Sequence, residues 1–168
     1  MPIAIIETPR LILRPLTNTD VDAIFAIIGD PITMQYYDRS FTREDAVEWV
    51  ERNLRRYEQD GHGIMAAELK SGGELIGDCG IAKQIVEGNP MLEVGYHFRR
   101  DHWGHGYATE AARACMDYAF RELGAARIVS LIRPENTPSR HVAERNGMRV
   151  ERQVEHAGLP HLLYVASS

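Results

Sequence analysis

"RRDHWGHGYATEAARACMDYAF", residues 99–120, decides how this chain is read. Gly104 and Gly106 flank His105, and a helical pattern follows at once, with Ala108, Ala111, Ala112, Cys115 and Ala119 on one face. Glycine costs backbone entropy, so two of them directly before a helix need a reason. A strand that runs into a Gly-rich turn and then a helix is the physical recipe for an anion site. The first helical turn leaves N–H groups unpaired, and the macrodipole adds partial positive charge there. Gly104 and Gly106 carry no Cβ to hold a phosphate away, and the Thr109 hydroxyl can donate to an oxygen. A tight turn packed against its own sheet would use the same glycines, and spacing alone leaves both readings open. A dinucleotide fingerprint is incomplete here: its third glycine position holds Thr109, and no acid stands about 20 residues on, where Ala126 lies. No Gly-Lys-Ser/Thr ending marks a Walker A loop.

Outward from this stretch, periodicity predicts the remaining elements. "RLILRPL" (10–16) reads as a strand, followed by a helix capped by Thr17 or Thr19 with Val21, Ile24, Phe25 and Ile28 on one face. Thr42 caps a second helix, with Val47, Val50, Leu54 and Tyr57 on its face and Gly61 past its end. Trp49 and Tyr57 on that helix read as core rather than as a ligand box, with a place beside a groove left open. Strands are expected over 63–69, 74–85 and 91–98, joined by turns in "KSGGE" (70–74) and "EGNP" (87–90). After the central helix come a strand in "ARIVSLI" (126–132), a short helix with Pro138 at its first position, and a final hairpin around "AGLP" (157–160). The order β-α-α-β-β-β-α-β-α-β-β makes a mixed sheet with helices packed on it.

The 168 residues suffice for one domain with a sizeable core. The 44% apolar and 26% charged content is ordinary for a globular protein. No apolar run approaches the roughly 18 residues of a membrane span, and the N-terminus lacks signal-peptide features, so a cytoplasmic protein is expected. Cys79 and Cys115 read as buried thiols. A net charge of −5 gives a nucleic-acid partner no support.

Three ordered stretches together resemble the GNAT N-acetyltransferases, in particular the branch that acetylates N-terminal amines of ribosomal proteins. They are "TPRLILRPLTNTD" (8–20), "LEVGYHFRRDHWGHGYATEA" (92–111) and "NTPSRHVAERNGM" (136–148), and the likeness spans nearly the whole chain. It implies a single N-acetyltransferase domain over 1–168, of α/β (α+β) class. The sheet would be mixed and mostly antiparallel, with helices on both faces and its fourth and fifth strands splayed around acetyl-CoA. The fourth strand here is 91–98. The resemblance implies that pantetheine pairs with its backbone around Tyr96, His97, Phe98 and Arg99. It sets the pyrophosphate on the loop of Trp103, Gly104, His105, Gly106, Tyr107, Ala108 and Thr109. Trp103 stands where many relatives carry Arg or Gln. Asn136 and Ser139 would fix the cofactor arm.

Acetyl transfer to an amine needs a neutral amine, a stabilised oxyanion and a leaving thiolate. A free α-amine, with a pKa of roughly 7.7–8.0, needs less help from a base than lysine at roughly 10.4. Glu93, at the edge of the expected gap, is the candidate base, acting through a water, against the alternative of a solvated strand carboxylate. The resemblance implies a bulge in the fourth strand that frees an N–H for the oxyanion, and Gly95 is its candidate position, against the alternative of simple close packing. Ala143 stands where many relatives place a tyrosine acid, which leaves Ser139 as the group to hydrogen-bond the sulfur. His97, His102 and His105 cluster in sequence, but without Cys, Asp or Glu at motif spacing no metal is expected. The expected partner is an amine acceptor, either a peptide N-terminus or a small molecule, and the resemblance makes a homodimer an assembly to test. A catalytically weak acyl-CoA-binding module on the same fold is the rival, favoured by Ala143.

Overall fold

The computed structural model describes residues 2–168. Alternation builds the first strands: Leu11 and Leu13 are fully buried along β2 (Leu11–Pro15), while Ile12 and Arg14 are only partly so. A two-residue strand, β1 (Ile6–Glu7), pairs antiparallel with β2; it is too short to give a periodic signal, and the sequence reading missed it. A 3-10 turn (Asn18–Asp20) leads from Thr17 into α1 (Val21–Ile28). The helix α2 (Arg43–Asp60) opens on a capping box, with Asp45 N–H donating to Thr42 (3.2 Å) and Thr42 N–H to the Asp45 carboxylate (2.7 Å). Gly61 ends it in the left-handed conformation. Its fully buried face runs through Ala46, Val50 and Asn53, so Val47 and Leu54 lie at the margin rather than the centre.

There follow β3 (Ile64–Leu69), β4 (Leu75–Val86), β5 (Asn89–Phe98), α3 (Tyr107–Arg121), β6 (Arg127–Ile132), α4 (Thr137–Arg145), β7 (Arg149–His156) and β8 (Leu159–Ser167). The expected turn at 87–90 is tighter than the sequence suggested, since Asn89 and Pro90 already belong to β5. Asn136 is the N-cap of α4 and Pro138 its second residue, not its first. One eight-stranded sheet runs β1-β2-β3-β4-β5-β6-β8-β7. All neighbours are antiparallel except β5 and β6. Helices α3 and α4 cover one face through a core that includes Leu11, Leu13, Ala111, Cys115 and Val142. Helices α1 and α2 cover the other through Ile24, Ile27, Val50 and Ala66. Cys79 and Cys115 are buried free thiols, Sγ to Sγ 3.6 Å. None of the described helices is long and apolar enough to cross a membrane.

The central opening lies between β5 and β6. The β4–β5 ladder runs unbroken from Gly77 opposite Phe98 to Val86 opposite Asn89, whereas β5 and β6 share the single pair Glu93 and Val129. Beyond that pair the two strands diverge. The expected bulge at Gly95 is absent: Gly95 sits squarely opposite Gly80, because the long hairpin ladder holds the register through this point. Splaying, not bulging, is what frees main-chain groups on β5.

Candidate active site

Strand alternation decides which groups of β5 face the opening. Arg99 N–H donates to Ile76 C=O across β4 (2.8 Å), so odd-numbered residues turn their main-chain groups towards β4 and even-numbered ones away. The even side confirms it: Val94 C=O accepts the Ser130 hydroxyl (2.8 Å) and Phe98 C=O the Trp103 indole N–H (2.7 Å). Between them, Tyr96 directs its N–H and C=O into the gap. A groove of about 1520 Å³ follows this gap, from the start of α3 past Asn136 and Ser139 to Glu93, Tyr37 and Trp49.

At one end lies the loop quoted at the outset. Gly104 (φ 79°) and Gly106 (φ 80°) are both left-handed, which is why glycine is needed at each. A Cβ on Gly104 would meet open space, and one on Gly106 only the Arg10 guanidinium at 3.5 Å. Gly106 is the N-cap of α3 and supplies no side chain to cap it, so the N–H groups of the first turn face outward. The acid that would compete for them, Glu110, is drawn away by the Thr8 hydroxyl (2.6 Å), the Arg10 N–H (2.9 Å) and the Arg10 guanidinium (2.8 Å). Those bonds hold the Glu110 carboxyl below its usual range against the cost of its burial. Arg10 also stacks over the Tyr107 ring at 4.3 Å, which keeps a cation beside the cradle. An uncapped helix start with open space above it fits a diphosphate.

At the middle of the groove, Asn136 Oδ1 accepts the Ser139 N–H (3.3 Å) and the Ser139 C=O accepts the Tyr96 hydroxyl (3.1 Å). The Asn136 carbonyl oxygen is thus committed to the cap, and its amide nitrogen is left for a ligand. Burial pushes the Tyr96 phenol up, so it remains a donor. Ala143 is buried in the core beneath, with no polar group to offer.

The other end is built from side chains. Glu93 Oε1 accepts the Gln84 amide (3.1 Å) and Oε2 the Leu131 N–H (3.1 Å), so the carboxylate spans β4 and β6 at the point of divergence. Burial pushes this carboxyl up, against the Leu131 N–H, the Gln84 amide and the nearby His97 and Arg56. Beside it, Asp78 is fully buried on β4 and accepts the Trp49 indole N–H (2.9 Å) and His97 Nδ1 (3.0 Å). His97 Nε2 lies 2.7 Å from the Tyr37 hydroxyl. Tyr37 is 45% exposed, and desolvation where it meets the groove, then the charges of Glu93 and Asp78, push the phenol up.

Of the residues singled out from sequence, Glu93, Tyr96, His97, Phe98, Trp103, Gly104, Gly106, Tyr107, Ala108, Thr109, Asn136 and Ser139 line the one groove. Arg99 and His105 do not. The Arg99 guanidinium is held by Glu74 (2.8 Å) and Asp101 (2.7 Å), and His105 folds back onto the Trp103 carbonyl (2.9 Å). Among the described residues no group of three His, Cys, Asp or Glu side chains is placed to hold a metal ion, and His97, His102 and His105 turn in different directions. The sequence reading missed Tyr37, Asp78 and Arg10; Trp49, favoured as core with the groove left open, does both, packing on the core and bordering the groove. Asp78 carried a signal: it is an acid inside the otherwise apolar run "LIGDCGIA" (75–82).

Comparisons with known proteins place the fold in a family. A family model described as "Acetyltransferase (GNAT) domain" matches residues 10–149. The uncharacterized protein YkkB of Bacillus subtilis is 38% identical over 162 residues, covering 96% of this chain and 94% of that protein. YnaD of the same organism, described as an uncharacterized N-acetyltransferase, is 33% identical over 147 residues, covering 87% of this chain and 83% of its own. The crystal structure of an acetyltransferase from Agrobacterium tumefaciens superposes with a TM-score of 0.86 at 29% identity, covering 100% of this chain and 96% of that one.

Proposed function

The chain belongs to the GNAT family of acetyltransferases, and on that premise we propose that it moves an acetyl group from acetyl-CoA to a primary amine, the α-amine of a protein N-terminus. One observation carries the proposal: a single groove joins an uncapped, glycine-lined helix start to a part-buried carboxylate, Glu93, whose affinity for a proton is raised. The N–H groups of Gly104 to Thr109 would hold the diphosphate, with Arg10 alongside. Tyr96 main-chain groups would pair with the pantetheine amides, and the Asn136 amide would steady the arm. The donor supplies a thioester acetyl group. Glu93 takes a proton from the reacting amine through a water, and burial suits it to that task by bringing a carboxylate nearer to neutral pH. Ser139, whose own N–H and C=O are satisfied by Asn136 and Tyr96, offers its hydroxyl to the sulfur in place of the tyrosine that Ala143 replaces.

The α-amine is favoured because it deprotonates near neutrality, roughly two and a half units below lysine. A small-molecule acceptor is the second reading. Arg52, Arg56 and Arg133 line the acceptor end and suit an amine that also bears an anionic group. The test has two arms. Saturating acetyl-CoA should stabilise the protein, by about 2.7 kcal/mol at 100 times Kd, and NADH should not. Release of free thiol from acetyl-CoA should then be measured against a panel of peptides with free and blocked N-termini, polyamines, amino acids and aminoglycosides. A panel with no release alongside tight acetyl-CoA binding would leave a binding module.

A further inference from the structure

The chain of Asp78, His97 and Tyr37 is not used by the chemistry above, and the stoichiometry of the reaction calls for something like it. An acceptor that arrives as R–NH3+ and leaves as an amide has lost two protons. One ends on the CoA sulfur, which departs as the thiol, and the other goes to solvent. Glu93 can accept one of these on its way, but not both at once. At pH below the amine's own value, the first must be removed before the nitrogen has a lone pair to attack with.

We propose that Asp78, His97 and Tyr37 form a relay that takes this first proton from the incoming ammonium group and that Tyr37 is a catalytic residue contacting the acceptor. The inference rests on the amine-acetyltransferase reading and adds a role to the same site. Its geometry is continuous. Asp78 lies directly opposite His97 in the β4–β5 register, so the strand pairing itself sets the contact. As a carboxylate Asp78 only accepts; Oδ2 takes the Trp49 indole and Oδ1 takes His97 Nδ1, which assigns the proton of neutral His97 to Nδ1. Nε2 then accepts from the Tyr37 hydroxyl at 2.7 Å. Trp49 packs edge-on to the His97 ring at 5.2 Å and Tyr37 edge-on to Phe41 at 5.4 Å, so both rings are held.

The proton balance closes at each atom. The ammonium N–H donates to Tyr37 Oη, the Tyr37 proton passes to His97 Nε2, and the amine nitrogen keeps the electron pair of the broken N–H bond. His97 then carries a proton on each nitrogen and forms an ion pair with Asp78. In that state Nε2–H donates to Tyr37 Oη, so the hydrogen bond survives with its direction reversed. The proton leaves by the reverse path once the acceptor has moved on, from Tyr37 Oη to the water that refills the groove. The buried Asp78 carboxylate has no Arg or Lys partner among the described residues, and His97 is the one group that can bring it a positive charge. The other charged groups lining the site are Glu93 from β5, Asp38 beside Tyr37, Arg52 and Arg56 from α2, and Arg133 after β6. Glu93 takes its own proton in the chemistry above and is tested by its own variant; Asp38 and the three arginines set the level of the response, whereas the relay sets its dependence on Tyr37 and His97.

The experiment uses the full chain, an α-amine peptide acceptor, and the variants Tyr37→Phe and His97→Gln. Tyr37→Phe keeps the ring against Phe41 and removes only the hydroxyl, so it guards against a folding defect in His97→Gln. The expected result is a deficit in kcat/KM of about tenfold or more near pH 6.5 that shrinks towards about one near pH 9.5, where the amine arrives neutral. Calorimetric affinity for acetyl-CoA should be unchanged. A deficit that is flat with pH, or none, overturns the relay. Imidazole 15N spectra of the wild type provide a readout that needs no turnover: neutral His97 should carry its proton on Nδ1, and Tyr37→Phe should move the Nε2 resonance by removing the hydrogen bond that this nitrogen accepts. A neutral His97 protonated on Nε2, or an Nε2 resonance indifferent to Tyr37→Phe, overturns the proposal as well. If no amine is acetylated by the wild type, the acetyltransferase reading fails on that result, and the spectra still decide whether the chain of hydrogen bonds exists.

Discussion

The two ends of the groove are made in different ways. The cradle at the start of α3 is main chain from one continuous stretch, Trp103 to Thr109, shaped by two left-handed glycines and a helix that nothing caps. The acceptor end is side chain, gathered from the loop before α2 (Tyr37), α2 (Trp49), β4 (Asp78) and β5 (Glu93, His97). A main-chain site recognises a shape and a charge that every donor molecule of one kind shares. A side-chain site can be retuned one residue at a time. The contrast implies that damage at the acceptor end will appear in rate and pH dependence, and damage at the cradle in donor affinity.

The largest effect should come from Glu93→Gln. It keeps the size and an acceptor for the Leu131 N–H but cannot take a proton. A fall in kcat/KM of about 10²–10⁴-fold is expected, with acetyl-CoA affinity within about twofold. If Glu93 handles the second proton and the relay the first, the Glu93→Gln deficit should persist at high pH where the relay variants recover. Stability should move the other way. A carboxyl raised in the folded state binds its proton more tightly there than in the unfolded chain, so its contribution is present at low pH and is lost as pH rises through the folded value. Gln escapes that loss. The melting temperature of Glu93→Gln should therefore exceed the wild type's near pH 8, by roughly 2–4 °C for each kcal/mol relieved, and match it near pH 4. A variant less stable at both would show that the Gln84 and Leu131 contacts outweigh the cost of burial.

Next in size is the cradle. Gly106→Val puts a branched side chain at φ 80° and into the groove; Gly61→Val does the same at φ 77° past the end of α2, where nothing lies within 4 Å. Both should lower the melting temperature, since left-handed backbone costs an L-residue roughly 1–2 kcal/mol. Only Gly106→Val should weaken acetyl-CoA, by about 10- to 100-fold if one charge-assisted hydrogen bond is lost. Equal affinities in the two variants would reduce Gly106 to a turn residue.

The smallest effect should come from Asn136→Ala, which removes the cap on Ser139 N–H and costs about 0.5–2 kcal/mol of stability. Asn136→Ser should restore the cap but not the amide nitrogen. A few-fold weaker acetyl-CoA binding in both variants would assign that nitrogen to the cofactor, and recovery with Ser would confine Asn136 to capping.

The same contrast explains what the sequence could reveal. The cradle was legible because glycine spacing, a helix start and an absent cap are all local. Most strands and all four helices were legible from periodicity, and "NTPSRHVAERNGM" from its order after the central motif. The unbroken register at Gly95 was not, since a strand glycine looks the same whether it marks a bulge or faces another glycine such as Gly80. Nor was the relay. His97 and Asp78 are 19 residues apart and meet only because the β4–β5 ladder puts them opposite one another, and Tyr37 reaches them from 60 residues away. The helix-two tryptophan was read as core because an amphipathic stripe does not show which of its members also touches a cavity.

The most direct test is the mass of a peptide that carries both a free α-amine and an internal Lys, incubated with the wild-type protein and acetyl-CoA near neutral pH and then fragmented. A single acetyl group on the α-amine, appearing in step with free thiol, is the expected result. A peptide that stays unmodified while acetyl-CoA binds, or one acetylated on Lys with its α-amine untouched, would contradict the assignment of this groove to N-terminal acetyl transfer.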